Sequence, residues 1–138
     1  MDTPNKQNLI LTFGYGNRSS YDALAKYVQE FKIDCLIDVR EKPRAWSRKW
    51  YGEQIEKFCQ ERGLEYLSET ALGNVSGTNH WISPAPEEAE RVLQDIAKKN
   101  ESRTVLLLCA EMDHRRCHRV EVAEKLQELI NCPIKHLE

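Results

Sequence analysis

Short, almost wholly apolar runs alternate along this chain with longer segments in which apolar residues recur at helical spacing. Residues 9–13, 33–39 and 104–108 form three such runs. Runs that lack polar alternation are typical of strands covered on both faces, whereas the spacing of Leu24 and Val28 marks one face of a helix. The alternation predicts an α/β fold with a mostly parallel central sheet, about four to five strands, and helices on both faces.

The length and the turn residues of the chain indicate one domain. We predict that the 138 residues form a single α/β domain, since a chain of this length can bury a real core. Residues 1–7 are expected to be a disordered tail. Residues 68–86, which contain several Gly, Pro and Ser residues, are predicted to form a long loop, and loops of that length are commonly lids or binding loops.

Composition and charge exclude several classes of protein. The formal net charge is −2 and hydrophobic residues make up 41% of the chain, so an anion-binding site must come from local clustering of cations. No apolar run approaches the roughly 18 residues that span a bilayer, and the first residues lack the pattern of a signal peptide. Five cysteines fit free thiols in a reducing compartment better than disulfides. We therefore expect a cytoplasmic protein with no membrane partner.

Reactive and charged side chains concentrate in the turns that follow three of the predicted strands. These turns span residues 14–18, 38–50 and 109–119. In a parallel sheet the carboxyl ends of the strands meet at one edge, and ligands of open α/β folds bind there. We therefore predict one functional site at this edge, built from all three turns.

The first turn, Gly14-Tyr15-Gly16-Asn17-Arg18, places two glycines before a predicted helix. Glycine allows close backbone approach, and the N–H groups at a helix start favour an anion. We assign Tyr15, Asn17 and Arg18 to ligand binding, although the turn matches neither a GxGxxG fingerprint nor a P-loop. The alternative is an ordinary tight turn with Arg18 in solvent.

The second turn interleaves cationic and aromatic side chains. Arginine suits bidentate contact with phosphate or carboxylate, and aromatic faces stack on nucleobases. We assign Arg40 and Arg44 to ligand binding. Asp38, at the strand end, could orient Arg40 or act as an acid or base. The alternative is a solvated basic loop in which Trp46 and Trp50 pack as core.

The third turn supports three chemistries, of which the first is thiol catalysis. Cys109 and Arg115 have the C-x5-R spacing of phosphatase-type and rhodanese-like loops, in which a thiolate attacks and an arginine holds the oxyanion. Glu111 and Asp113 lie inside this loop. Two carboxylates there would repel a phosphate dianion and raise the pKa of the thiol.

Metal binding is the second chemistry. His114 and His118 are four residues apart on a predicted helix, and Cys109, Cys117 and Glu111 are close in sequence. This spacing permits zinc, but the neighbouring arginines oppose a cation and the chain has no CxxC pair. We therefore predict no metal and no cofactor.

Acid–base catalysis is the third chemistry. The start of the predicted helix would favour a thiolate at Cys117 and lower the pKa of His118. Glu111 could act as a general acid or base, and Arg119 would bind the ligand and support an oxyanion. Alternatively, the cysteines are small buried hydrophobes and Glu111 pairs with an arginine. The candidate catalytic residues are Asp38, Cys109, Glu111, Cys117 and His118.

Four motifs, in this order, resemble the family known as domain of unknown function 488. They are Phe13-Gly14-Tyr15-Gly16-Asn17-Arg18-Ser19, residues 33–40, Leu72-Gly73-Asn74, and Leu108-Cys109-Ala110-Glu111 with Cys117-His118-Arg119. The resemblance spans nearly the whole chain and implies a small single-domain α/β protein of prokaryotic type, with no substrate or reaction attached. It supports the assignments of Asn17, Arg18, Asp38, Arg40, Cys109, Glu111, Cys117, His118 and Arg119. This chain has Asp113-His114 where the family usually has an Asp-Pro-like pair.

These features favour a protein that binds a phosphorylated or other anionic ligand, a nucleotide or a nucleic-acid strand, at the carboxyl ends of the strands. Whether it is an enzyme stays open. A non-catalytic nucleic-acid-binding module is one alternative, and a thiol-dependent enzyme or redox sensor is the other.

Overall fold

The computed structural model describes residues 8–138 and contains five strands in one sheet. The strands are β1 (Ile10–Gly14), β2 (Cys35–Asp38), β3 (Glu65–Ser68), β4 (Val105–Cys109) and β5 (Ile134–His136). Their order across the sheet is β3-β2-β4-β1-β5, and every neighbouring pair is parallel. The carboxyl ends of all five strands therefore meet at one edge, as the sequence predicts.

Four α-helices connect the strands. They are α1 (Asp22–Phe31), α2 (Gly52–Glu61), α3 (Pro86–Lys99) and α4 (Arg119–Ile130), and short 3-10 turns occur at Arg48–Trp50, Thr70–Leu72 and His114–Arg116. Helix α3 shows why such segments are helical, since proline stands in its first turn, two glutamates follow, and two lysines occupy its last turn.

The sheet carries helices on both faces and separates two hydrophobic cores. Helices α1 and α2 bury Leu24 and Phe58 against Leu106 on one face. On the opposite face, α3 and α4 bury Leu93 and Leu126. Because successive side chains of a strand point to opposite faces, β4 contributes to both cores along its length. The α/β fold class predicted from the sequence is confirmed.

The long segment between β3 and α3 is held to the rest of the protein by hydrogen bonds of Trp81. A 3-10 turn follows β3, and Trp81 donates a hydrogen bond from Nε1 to the carbonyl of Gly73 (2.9 Å) while its backbone N–H binds the Glu121 carboxylate (2.8 Å). The predicted disordered tail at 1–7 lies outside the described residues. Across residues 8–138, no helix combines the length and the apolar content that a membrane crossing requires.

Close packing at the carboxyl edge requires glycine at the end of β1. A Cβ atom on Gly14 would lie 1.7 Å from the carbonyl oxygen of Glu111, which is in the turn after β4. The backbones of the first and third turns are joined there, because Tyr15 and Gly16 donate hydrogen bonds to the carbonyls of Cys109 and Ala110. The backbones of the first and third turns are thus in direct contact at this edge.

Candidate functional site

The end of β2 carries a closed ion pair on the α1/α2 face. The Arg40 guanidinium donates to both carboxylate oxygens of Asp38, at 2.7 Å and 2.6 Å. Both side chains are buried, with Asp38 at 0% and Arg40 at 5% exposure. Tyr66 also donates its hydroxyl to Asp38 (2.7 Å). Burial lowers the pKa of Arg40, but its bonds to Asp38 outweigh that effect and leave the pKa raised.

The same guanidinium supports an aromatic pair. Arg40 Nη1 donates to the hydroxyl of Tyr15 (3.1 Å) and to the carbonyl of Trp50 (2.7 Å). The rings of Tyr15 and Trp50 stack with centroids 4.8 Å apart. Trp50 Nε1 donates in turn to the carbonyl of Arg18 (2.9 Å), so the ion pair fixes the first turn against the second. Burial raises the pKa of Tyr15.

A groove opens beside this aromatic pair at the carboxyl edge. Its volume is about 510 Å³, within the range of small-ligand sites. It is lined by Tyr15, Gly16, Asn17, Arg18 and Ser19 of the first turn, by Arg44, Ala45, Trp46, Ser47 and Trp50 of the second turn, and by Ala110 of the third. Four of the six predicted ligand-binding residues therefore line this groove, namely Tyr15, Asn17, Arg18 and Arg44.

Trp46 has no packing role in the wall of this groove. Its side chain is fully exposed, at 106% of the reference area, whereas Trp50 is 1% exposed. The interpretation that both tryptophans belong to the core is therefore wrong for Trp46 and right for Trp50. An indole ring whose faces are open to water is free to stack on a planar ligand.

The Arg119 side chain binds backbone carbonyls and does not face an open cavity. It is 0% exposed, and its guanidinium donates to the carbonyls of Glu111 (2.5 Å) and Met112 (3.2 Å). The Glu111 carboxylate accepts the backbone N–H of Asp113 (3.1 Å). These contacts fix the shape of the third turn. Among the five predicted catalytic residues, Glu111 is half-buried and the other four are buried.

Cys109, Cys117 and His118 come together on the α3/α4 face. Their Sγ and ring nitrogen atoms lie within 4.8 Å of one another, and all three residues are buried. His118 Nε2 is 2.9 Å from the carbonyl oxygens of both Val39 and Leu72. The sequence places these three residues in one turn, and the structure adds the two carbonyls that orient the imidazole.

The sulfur atoms of this cluster differ strongly in acidity. A hydrogen bond from Cys109, together with His118 and the backbone N–H of Arg119, lowers the pKa of Cys117 to about 4 despite burial. That hydrogen bond and burial raise the pKa of Cys109. Burial lowers the pKa of His118, but Cys117 and the two carbonyls outweigh it and raise the pKa.

Two of the residues considered in the third turn lie apart from this cluster. Arg115 is 79% exposed and forms an ion pair with Asp113, Nε to Oδ1 3.0 Å. His114 stacks on His136 with ring centroids 4.2 Å apart. Asp113 caps the short 3-10 turn through the N–H of Arg115 rather than the last helix, which begins six residues later.

The sheet thus divides the predicted single site into two. Asp38 and Arg40 lie on the α1/α2 face with the groove, whereas the thiol–imidazole cluster lies on the other face. Tyr66 belongs to the first group, and sequence reasoning did not include it. The sequence carries no direct signal for it, because the parallel pairing of β3 with β2 that brings Tyr66 near Asp38 is defined by the fold.

Fold and site define a small, parallel α/β protein whose polar groups concentrate at the carboxyl edge of the sheet. The chain matches the family described as "Domain of unknown function DUF488" over residues 20–126, more than three quarters of its length. It belongs to this family. No curated protein and no solved structure matches the chain.

Proposed function

We propose that this protein binds a nucleotide unit, either free or within a nucleic-acid strand, in the groove at the carboxyl edge. The observation that carries the proposal is the fully exposed indole of Trp46 beside Arg18 and Arg44 in one groove. An aromatic platform next to cations matches a ligand that joins a planar base to a phosphate.

Protein carboxylates do not neutralise the two arginines that line the groove, as far as the described residues go. Within residues 8–138, neither Arg18 nor Arg44 forms an ion pair with a carboxylate, and the same holds for Arg48 in the adjoining 3-10 turn. Arg18 instead packs over Phe13 and Arg44 over Tyr51. Guanidinium groups placed in this way keep their donors for phosphate oxygens.

Other predicted residues support the groove indirectly. Arg40 and Arg119 are occupied by protein carboxylate and carbonyl groups, so the phosphate contacts are assigned to Arg18 and Arg44. The Asp38–Arg40 ion pair positions the stacked rings of Tyr15 and Trp50, which form the floor of the groove. Catalysis by Asp38, Glu111 or His118 stays a prediction.

The test is fluorescence anisotropy of a labelled single-stranded oligonucleotide, with unlabelled nucleoside monophosphate and inorganic phosphate as competitors, across a series of salt concentrations. Trp46→Ala should weaken binding by about 1–3 kcal/mol through lost stacking. Arg44→Gln should weaken it and reduce the slope of log K against log salt by about 0.7, the value for one phosphate contact on a single strand.

The matched control is Lys98→Gln. Lys98 is an exposed cation in the last turn of α3, at the opposite end of the sheet from the groove. Competition by monophosphate as strong as that by the oligonucleotide would identify a nucleotide site. Equal losses in the Lys98 and Arg44 variants, or no binding at low salt, would overturn the proposal.

A further inference from the structure

The cluster of Cys109, Cys117 and His118 lies outside the proposed groove and on the other face of the sheet. Cys109 ends β4, and Cys117 and His118 immediately precede α4. Chain folding therefore brings two sulfur atoms and one ring nitrogen within 4.8 Å of one another among buried surroundings. Two thiols and an imidazole are the ligands that thiophilic metal ions prefer.

The imidazole is held in the tautomer that a metal ion needs. Carbonyl oxygens only accept hydrogen bonds, so His118 Nε2, which lies 2.9 Å from the oxygens of Val39 and Leu72, carries a proton. The lone pair of neutral His118 is then on Nδ1, the atom that faces the Cys117 sulfur at 3.8 Å. Metal-ligating histidines are anchored in this way by a carbonyl at the second ring nitrogen.

The distances fit tetrahedral zinc with small adjustments. With ordinary zinc bond lengths, tetrahedral ligands lie about 3.6 Å apart for sulfur and nitrogen and about 3.8 Å apart for two sulfurs. The observed separation of Cys117 Sγ from His118 Nδ1 is 3.8 Å, and no pair in the cluster exceeds 4.8 Å. Rotation about the short cysteine side chains covers the remainder.

We propose that Cys109 Sγ, Cys117 Sγ and His118 Nδ1 bind a zinc ion. Three protein ligands leave the fourth tetrahedral position for a water molecule or a substrate, the arrangement of catalytic rather than structural zinc sites. On binding, two zinc–sulfur bonds and one zinc–nitrogen bond form, and the protons of any S–H groups and any proton on His118 Nδ1 pass to the solvent.

This proposal departs from the sequence prediction of no metal, and its ligands differ from the set that the sequence spacing permits. That set included His114 and Glu111, but His114 stacks on His136 and the Glu111 carboxylate binds the N–H of Asp113. Of the arginines that oppose a cation in the sequence, Arg115 pairs with the Asp113 carboxylate. Arg119 donates to two carbonyls, but its charge still acts on both Cys109 and Cys117 and favours their thiolate forms. Two thiolates bound to the ion would offset that positive charge.

The test uses the full chain, kept reduced and freed of metal by a chelator. Titration with Co²⁺ should produce a thiolate-to-cobalt charge-transfer band and intense visible bands of a tetrahedral site, and both should disappear on adding one equivalent of Zn²⁺. Zinc retained after gel filtration should amount to one ion per chain. Neither measurement depends on the groove, so failure here leaves the proposed function untouched.

Variants identify the ligands. Cys117→Ser, Cys109→Ser and His118→Gln should each weaken Co²⁺ binding by about tenfold or more. Cys59→Ser and Cys35→Ser are matched controls, since both thiols are buried outside the cluster and should leave the spectrum unchanged. If a ligand variant fails to fold, the spectrum of the wild-type chain still decides.

Two outcomes would overturn the zinc site. One is the absence of a charge-transfer band in the wild-type chain when thiol titration shows all five cysteines reduced. The other is a band that survives Cys117→Ser and His118→Gln but is lost in a control variant. Rapid alkylation of Cys117 in a protein that binds neither cobalt nor zinc would favour thiol chemistry instead.

Discussion

Arg40 closes back onto Asp38, two residues earlier in the chain, and satisfies both oxygens of its carboxylate within the interior of the protein. The same guanidinium reaches Tyr15 and the carbonyl of Trp50. One buried charge therefore organises the floor of the groove. Its energetic value lies in the positions of its partners, because burying two charges consumes most of their mutual attraction.

Breaking this pair from one side should be strongly destabilising. In Asp38→Asn the Arg40 charge stays buried without its counter-ion, and we expect a loss of about 3–5 kcal/mol in the free energy of unfolding, measured by urea denaturation. Asp95→Asn, at an exposed position on α3, is the control and should change stability by less than about 0.5 kcal/mol. A loss below about 1 kcal/mol for Asp38→Asn would show that the pair is accessible to water.

The two tryptophans of the second turn should respond in opposite ways. Trp50→Ala removes a ring that is stacked and 1% exposed, and should cost about 3–5 kcal/mol. Trp46→Ala removes a fully exposed ring, so its unfolding midpoint in urea should match that of the unmodified chain while nucleotide binding weakens. A Trp46 variant that is as unstable as the Trp50 variant would contradict a ligand-binding role for this side chain.

The junction of the first and third turns should not accept a methyl group. In Gly14→Ala the new Cβ would lie 1.7 Å from the Glu111 oxygen, and a backbone cannot yield as a side chain can. We expect a loss of about 3 kcal/mol or more. Gly77→Ala, at a positive φ of 76° with no atom near the added carbon, should cost only about 1–2 kcal/mol of backbone strain. Thermal denaturation of both variants at one pH measures the difference.

Glu65 should contribute stability that is lost in acid. Hydrogen bonds and charge from Lys99 and Arg103 lower the pKa of Glu65 below its ordinary value. A lowered pKa means that the contribution is present above the unfolded-state pKa and disappears as the pH falls through the folded-state pKa. Glu65→Gln should therefore cost less than about 1 kcal/mol at neutral pH and nothing in strong acid. Glu30→Gln, at an exposed position of α1, is the control for loss of a carboxylate and should change the free energy of unfolding by less than about 0.5 kcal/mol at neutral pH.

The fold class could be predicted from the sequence because the pattern of apolar residues distinguishes its strands from its helices. Apolar runs without polar alternation predict strands covered on both faces, and the sheet has helices on both faces. The alternation also fixed the edge at which polar residues gather. The conformation of the loop at 68–86 could not be predicted in this way. Trp81 is anchored by the carbonyl of Gly73 and by the carboxylate of Glu121, and Glu121 lies 40 residues away on α4.

The partition of the site could not be predicted from the same pattern. A strand such as β4 is apolar on both sides, so nothing in its sequence says which face Cys109 shares with α4. Arginine is rarely buried unless paired, and its burial at Arg40 and Arg119 depends on carbonyl groups whose positions only the folded backbone defines. The sequence thus predicts that these residues gather at the carboxyl edge, but it does not predict that the sheet separates them into two groups.

The two residues that follow β2, Val39 and Arg40, connect the two faces of the sheet. The carbonyl of Val39 anchors His118 on one face, while the next side chain, Arg40, supports Tyr15 and Trp50 on the other. Only one peptide unit therefore separates the carbonyl that anchors His118 from the residue whose guanidinium contacts Tyr15 and Trp50. A shift of this peptide unit would therefore disturb the hydrogen bond to His118 and the contacts of Arg40 with Tyr15 and Trp50 at the same time.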